Sequence, residues 1–164
     1  MTTVQSKSVQ SKQGGAKVGF PPPFVYLGLI VSGLVLDRWG MPLASGSPPW
    51  LRWLGAALAI GGVLLLSSAR LWFLRTGQHP APWKPSPELL VRGIYGYTRN
   101  PMYLGLTLFQ AGLGVALGSG WMAVLAPVGL CVVHFIAVRP EEAYLTQKFG
   151  ENYLRYTAAV RRYL

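Results

Sequence analysis

The stretch PMYLGLTLFQAGLGVALGSGWMAVLAPVGLCVVHFIAV, from Pro101 to Val138, decides the fold class. It holds two apolar runs, Pro101 to about Gly118 and Trp121 to Val138, separated only by Ser119 and Gly120. Each approaches the roughly 20 residues that cross a hydrocarbon core of about 30 Å. Together they predict a tight antiparallel hairpin of membrane helices. Gly105, Gly112, Gly114 and Gly118 offer small surfaces where helix backbones approach closely. Pro127, inside the second run, requires neighbours that satisfy the carbonyl it frees.

Working outward, a run from about Trp50 to Leu74 is long enough for another span. Phe24 to Leu36 is shorter, entered through Pro21, Pro22 and Pro23 and closed by Asp37-Arg38-Trp39; it predicts a helix over about 21–39. A signal peptide cut near Ala44 is the rival reading, and the charged pair and bulky Trp39 argue against it. Residues 1–19 read as a disordered basic tail, 40–49 as a Gly/Pro loop, and 75–100 as a polar, Pro-rich, basic connection. After Pro140, Tyr144, Leu145, Phe149, Tyr153, Leu154, Tyr156 and Val160 recur at helical spacing among charges, with Gly150 as a break. Residues 139–164 are too polar to span and are expected to cap the bundle at the membrane surface. The expected fold is all-α and integral to the membrane: four transmembrane helices (about 21–39, 50–74, 101–118 and 121–138) plus short cytoplasmic C-terminal helices. Residues 20–164 form a single domain.

Composition agrees. Of 164 residues, 51% are hydrophobic and 12% charged, against roughly a quarter charged in soluble domains. The net charge of +10 does not indicate nucleic acid, because Lys and Arg flank the apolar runs instead of gathering on one polar module. Cys131 is the single cysteine and sits in an apolar run, so it reads as a small buried residue; there is no metal-ligand spacing, and no metal is expected. Lys7, Lys12 and Lys17 precede the first run, Arg75, Lys84, Arg92 and Arg99 follow the second, and five more basic residues follow the fourth. The other side carries Arg38 and Arg52. The positive-inside rule places both termini and the 75–100 connection in the cytoplasm, with a multi-pass topology in a bacterial inner membrane or its equivalent. A site between 75–100 and 139–164 then faces the cytoplasm.

Around the third run the chain reads Leu89-Leu90-Val91-Arg92-Gly93-Ile94-Tyr95, then Arg99-Asn100-Pro101-Met102-Tyr103. The tail reads Arg139-Pro140-Glu141-Glu142, then Phe149-Gly150-Glu151-Asn152-Tyr153 and Tyr156. In this order and spacing, over about residues 86–162, the set resembles the isoprenylcysteine carboxyl methyltransferase family and its bacterial, phospholipid methyltransferase-like relatives. That family's pattern is Gly-x-Tyr, Arg-(His/Asn)-Pro-x-Tyr, a helical hairpin, and Glu-Glu before Phe-Gly-x-x-Tyr. Ile94 and Gly96 depart from it, and Asn100 stands where many members have His.

The resemblance implies an S-adenosyl-L-methionine-dependent membrane methyltransferase. Its donor pocket would use Leu89, Leu90, Tyr95, Arg99, Asn100, Pro101, Met102 and Tyr103, with Glu141 and Glu142. Carboxylates at a membrane boundary are costly unless paired, so the Glu pair suggests a function; the alternative is two acids that start a helix and favour its dipole. Adjacent helical residues point about 100° apart, so one ligand atom is not shared by both. By resemblance Glu141 takes the donor's ammonium and Glu142 holds an arginine. Free N–H groups near Pro101 suit the donor's carboxylate. Tyr95 and Tyr103 contact adenine or donate hydrogen bonds, unless they are interfacial anchors.

Arg139 is the candidate for holding an anionic acceptor, against snorkelling or pairing with Glu142. His134 is the candidate general base, against simple hydrogen-bonded packing. Methyl transfer to a carboxylate already ionised needs no base, and positioning and desolvation then supply most of the catalysis. The expected acceptor is a lipophilic small molecule or lipidated group entering from the membrane lipids, methylated on a carboxylate. An NADPH-dependent sterol reductase-like enzyme is the rival, although the short chain shows no clear basic cluster for a ribose phosphate. A non-catalytic scaffold would leave Glu-Glu and Asn-Pro-x-Tyr unexplained.

Overall fold

The computed structural model describes residues 15, 16, 18–40, 42, 43, 48–79 and 81–164. Lys7, Lys12, Lys17 and Ala44 lie outside the described residues. The described residues form helices and no strand. The α-helices are α1 (Pro22–Arg38), α2 (Pro49–Arg75), α3 (Pro101–Leu117), α4 (Gly120–Val133), α5 (Arg139–Phe149) and α6 (Glu151–Ala159). A 3₁₀ turn, Gly93–Gly96, precedes α3.

Prolines open α1, α2 and α3, where a missing N–H costs nothing. Gly118, at φ 72°, ends α3 in the left-handed conformation, and Ser119 Oγ then caps α4 by accepting from Met122 N at 3.2 Å. This is the tight hairpin the sequence predicts. The first three helices lie within two residues of the expected spans.

The fourth is different. It does not end near Val138 but continues through a π turn, His134–Val138, into α5, so Gly120–Phe149 is one rod of 30 residues. The turn is widened, with Arg139 N–H bonding back to His134 O, and this accommodates Pro140 in the next turn. The break comes at Gly150, with φ at 50°. Two helices, Pro49–Arg75 and Gly120–Phe149, are long and apolar enough to cross a membrane, and α3 is apolar over 17 residues. Side chains such as Leu54, Ile60 and Leu64 of α2 are exposed, as lipid-facing positions are.

Helix α3 lies between α2 and α4, and α1 packs on α4 and the edge of α3. The α2–α3 seam is made of backbone. Gly55 and Gly62 face Gly112 and Gly105, and a Cβ on any of the four would stand 2.6–2.8 Å from its partner's carbonyl oxygen. Only the α3 side of this seam is expected from the sequence. On the other side of α3, Gly114 lies against Ala123.

The polar segments meet at one end. Gly15 and Ala16 donate backbone bonds to Trp83 O (3.2 Å) and Pro82 O (2.8 Å). Arg99 N donates to Arg161 O at 3.0 Å, and Thr98 Oγ1 and Asn100 Nδ2 both donate to Arg162 O. The segment beyond α6 is therefore a strap across the entrance to α3. At the opposite end Ser119 Oγ bonds to Asp37.

Candidate active site

The strap, the 3₁₀ turn and the start of α3 hold one wall of a cleft; the loop after α2 and helices α5 and α6 hold the rest. Leu89, Leu90, Tyr95, Arg99, Asn100, Pro101, Met102, Tyr103, Glu141 and Glu142 all line it. Phe73, Gln78, Ser86, Glu88, Leu145, Tyr153 and Tyr156, not expected there from the sequence, complete the lining. Leu145 follows Glu141 by one helical turn, and Tyr153 and Tyr156 belong to the quoted tail, so spacing marked them. Phe73 and Gln78 carry no such signal.

The two glutamates are sorted by their partners. Glu142 takes a two-pronged contact from Arg162, Nε at 2.9 Å and Nη2 at 2.8 Å, and a second arginine, Arg99, at 3.3 Å. The contact from Glu142 holds the Arg162 guanidinium above its usual pKa. Glu141 has no cation within 4 Å among the described residues. Tyr103 O–H donates a hydrogen bond to its Oε2, at 3.0 Å. Burial lifts the Glu141 carboxyl to about 7, against the opposing pull of that hydrogen bond.

The tyrosines around it stay protonated. Burial raises Tyr95 well above its ordinary value, with the charge of Glu141 adding to it; burial pushes Tyr153 to about 12 and raises Tyr156 also. Tyr156 O–H is already given to Tyr95 O at 2.7 Å. Three polar atoms of the lining are buried without a partner among the described residues: Tyr95 Oη, Arg99 Nε and Gln78 Oε1. Native folds leave few such atoms, and the three leave open hydrogen-bonding positions in one cleft.

Asn100 Nδ2 is committed to the strap, so its side chain positions the loop. Arg139 and His134 are not among the residues lining the cleft. The Arg139 guanidinium lies over the Phe135 ring, 5.8 Å from its centroid, and has no carboxylate within 4 Å among the described residues. His134 Nδ1 shares a 3.0 Å hydrogen bond with Tyr163 Oη, tying the strap to the end of α4.

An apolar helical bundle whose polar segments gather at one end, around a carboxylate with no cation partner among the described residues, has the architecture of a membrane protein with a cleft at one end of its helices. Residues 50–152 match the phospholipid methyltransferase family, and the chain belongs to that family. It is 31% identical over 101 residues to the protein-S-isoprenylcysteine O-methyltransferase of Schizosaccharomyces pombe, covering 60% of this chain and 43% of the yeast protein. It is also 37% identical over 65 residues to an uncharacterized protein of Haemophilus influenzae, covering 38% of this chain and all of that one. The match thus spans less than half the length of the yeast relative.

Proposed function

We propose that this chain is a membrane methyltransferase that takes its methyl group from S-adenosylmethionine and passes it to a lipophilic carboxylate. One observation carries this most directly: of two adjacent glutamates in the cleft, Glu142 is neutralised by two arginines and Glu141, among the described residues, by none. An uncompensated carboxylate in a protein-lined cleft calls for a cation, and the donor's ammonium fits it. The unpartnered Tyr95 O–H and Arg99 Nε–H are donors suited to the donor's carboxylate, and Gln78 Oε1 is an acceptor for another part of it.

When bound, the donor supplies an electrophilic methyl group on a sulfonium. The chain's residues do the rest by placement. Tyr103 orients the Glu141 carboxylate, Glu142 holds Arg99 in the wall, and Leu89, Leu90 and Leu145 keep water from the apolar side. An ionised carboxylate needs no base, so His134 is free to serve the strap through Tyr163. The carboxylate acceptor rests on similarity to the yeast relative, whose name specifies an isoprenylcysteine. Arg139 remains the candidate for holding an anionic acceptor from outside the donor cleft.

The proposed topology has four spans, with both termini and the cleft at the cytoplasmic face. The skew of basic residues supports it. So does the meeting of residues 15–16, 82–83, 98–100 and 161–162 at one end of the bundle. With Cys131 replaced by alanine, Leu43→Cys should label only from outside and Arg92→Cys only from the cytoplasm; the reverse would overturn the orientation. The activity is tested by calorimetric titration of the detergent-solubilised protein with S-adenosylhomocysteine and with NADPH. Binding of the first alone is expected. Binding of NADPH alone would replace the methyltransferase with a reductase.

A further inference from the structure

Gln78 lies just past the end of α2, its N–H bonded to Phe73 O at 2.9 Å, and only 4% of it is exposed. Its side-chain Nε2 donates to Glu88 Oε1 at 3.4 Å. An ionised carboxylate accepts and cannot donate, so Glu88 decides which end of the amide turns toward it: the nitrogen. The amide oxygen is left over. It is buried and has no donor among the described residues. A buried carbonyl without a donor is a costly arrangement, relieved when a ligand supplies the hydrogen.

The surroundings narrow the kind of donor. Phe73, which anchors Gln78, meets Tyr95 edge to face with centroids 5.7 Å apart, and Leu89 and Leu90 line the same cleft. Aromatic and aliphatic walls with one acceptor suit a flat heteroaromatic ring that carries an amino group. An ammonium is better served by Glu141. We infer that Gln78 determines nucleobase specificity by accepting a hydrogen bond from the 6-amino group of the donor's adenine, and that Glu88 is the positioning residue that orients its amide. Neither residue belongs to the Gly-x-Tyr, Arg-Asn-Pro-x-Tyr or Glu-Glu elements.

The inference rests on the proposed donor, and its test separates the two. The full chain in detergent is titrated with S-adenosylhomocysteine and with its 6-deamino analogue, in which hydrogen replaces the amino group. Wild type should bind S-adenosylhomocysteine about tenfold more tightly than the analogue. Gln78→Leu should lose about tenfold toward S-adenosylhomocysteine and leave the analogue within about threefold, so that the preference disappears. Equal weakening toward both ligands would make Gln78 a packing or water-binding residue and overturn the inference. So would equal binding of both by wild type, while leaving the donor itself intact. Binding of neither would remove the donor and the inference together. Glu88 is exposed, so Glu88→Ala keeps the fold should Gln78→Leu lose it. With the amide free to turn, the preference should fall to less than half, and an undiminished preference in that variant would also overturn the assignment.

Discussion

At the α2–α3 seam, Gly55 and Gly62 lie against Gly112 and Gly105 with no side chain between the backbones. At the polar end of the same two helices, side chains from the α2 loop, the 3₁₀ turn, α3, α5 and α6 converge, and three of their polar atoms lack partners among the described residues. The seam is held by shape, and nothing is left for a ligand to do there. The cleft is held by charge and hydrogen bonds, and among the described residues those hydrogen bonds are incomplete. Substitutions at the seam should therefore change folding and leave the chemistry of any surviving protein alone, while those in the cleft should do the reverse.

Gly62→Leu tests the first half of that contrast and should have the largest effect. Its Cβ would stand 2.6 Å from Gly105 O, and backbone cannot move aside as a side chain does. A loss of about 3 kcal/mol is expected, seen as a lower melting temperature in detergent or as failure to purify as a monodisperse species. A variant with wild-type melting would show that the seam is looser than its geometry.

The second half is tested by pH. The Glu141 carboxyl sits at about 7, above the ordinary carboxylate value. Between about pH 4.5 and 7 the folded protein therefore keeps a proton that the unfolded chain has released, so this group's contribution to stability is present at low pH and is lost as pH rises through about 7. Donor binding has the opposite sign, because only the ionised carboxylate accepts an ammonium fully. Affinity for S-adenosylhomocysteine should rise by up to about twenty-five-fold between pH 5.5 and 7.5, and Glu141→Gln should flatten the profile. A profile unchanged by that substitution would assign the titration to another group.

Arg139→Ala should show the smallest effect on the donor. The side chain lies over Phe135 and not in the cleft, so affinity for S-adenosylhomocysteine should change by less than about twofold, with any loss confined to turnover. Loss of donor affinity would bring Arg139 into the cofactor site.

The same contrast governs what the sequence revealed. The ends of α1, α2 and α3 were legible because prolines and the Gly118-Ser119 turn mark them locally. The ten residues expected at the donor pocket came from ordered motifs near α3 and α5, and they line one cleft. The α2 side of the seam was missed, since Gly55 and Gly62 are seven residues apart in a run that reads simply as apolar. The continuation of α4 through Pro140 was hidden because a π turn leaves no mark in hydrophobic periodicity. Gln78 and the strap through Arg162 escaped for a different reason: their roles come from contacts between segments 10 to more than 60 residues apart. No local pattern encodes such pairs.

The division of labour between Glu141 and Glu142 is the centre of this account, and calorimetric titration with S-adenosylhomocysteine of wild type, Glu141→Gln and Glu142→Gln tests it most directly. Losing a charged hydrogen bond to an ammonium costs roughly 1.5–3 kcal/mol. Glu141→Gln should thus bind about tenfold to a hundredfold more weakly, while Glu142→Gln, whose partners are Arg99 and Arg162, should lose much less affinity and more thermal stability. The opposite ranking, or wild-type affinity in Glu141→Gln, would contradict the assignment of Glu141 as the carboxylate that receives the donor.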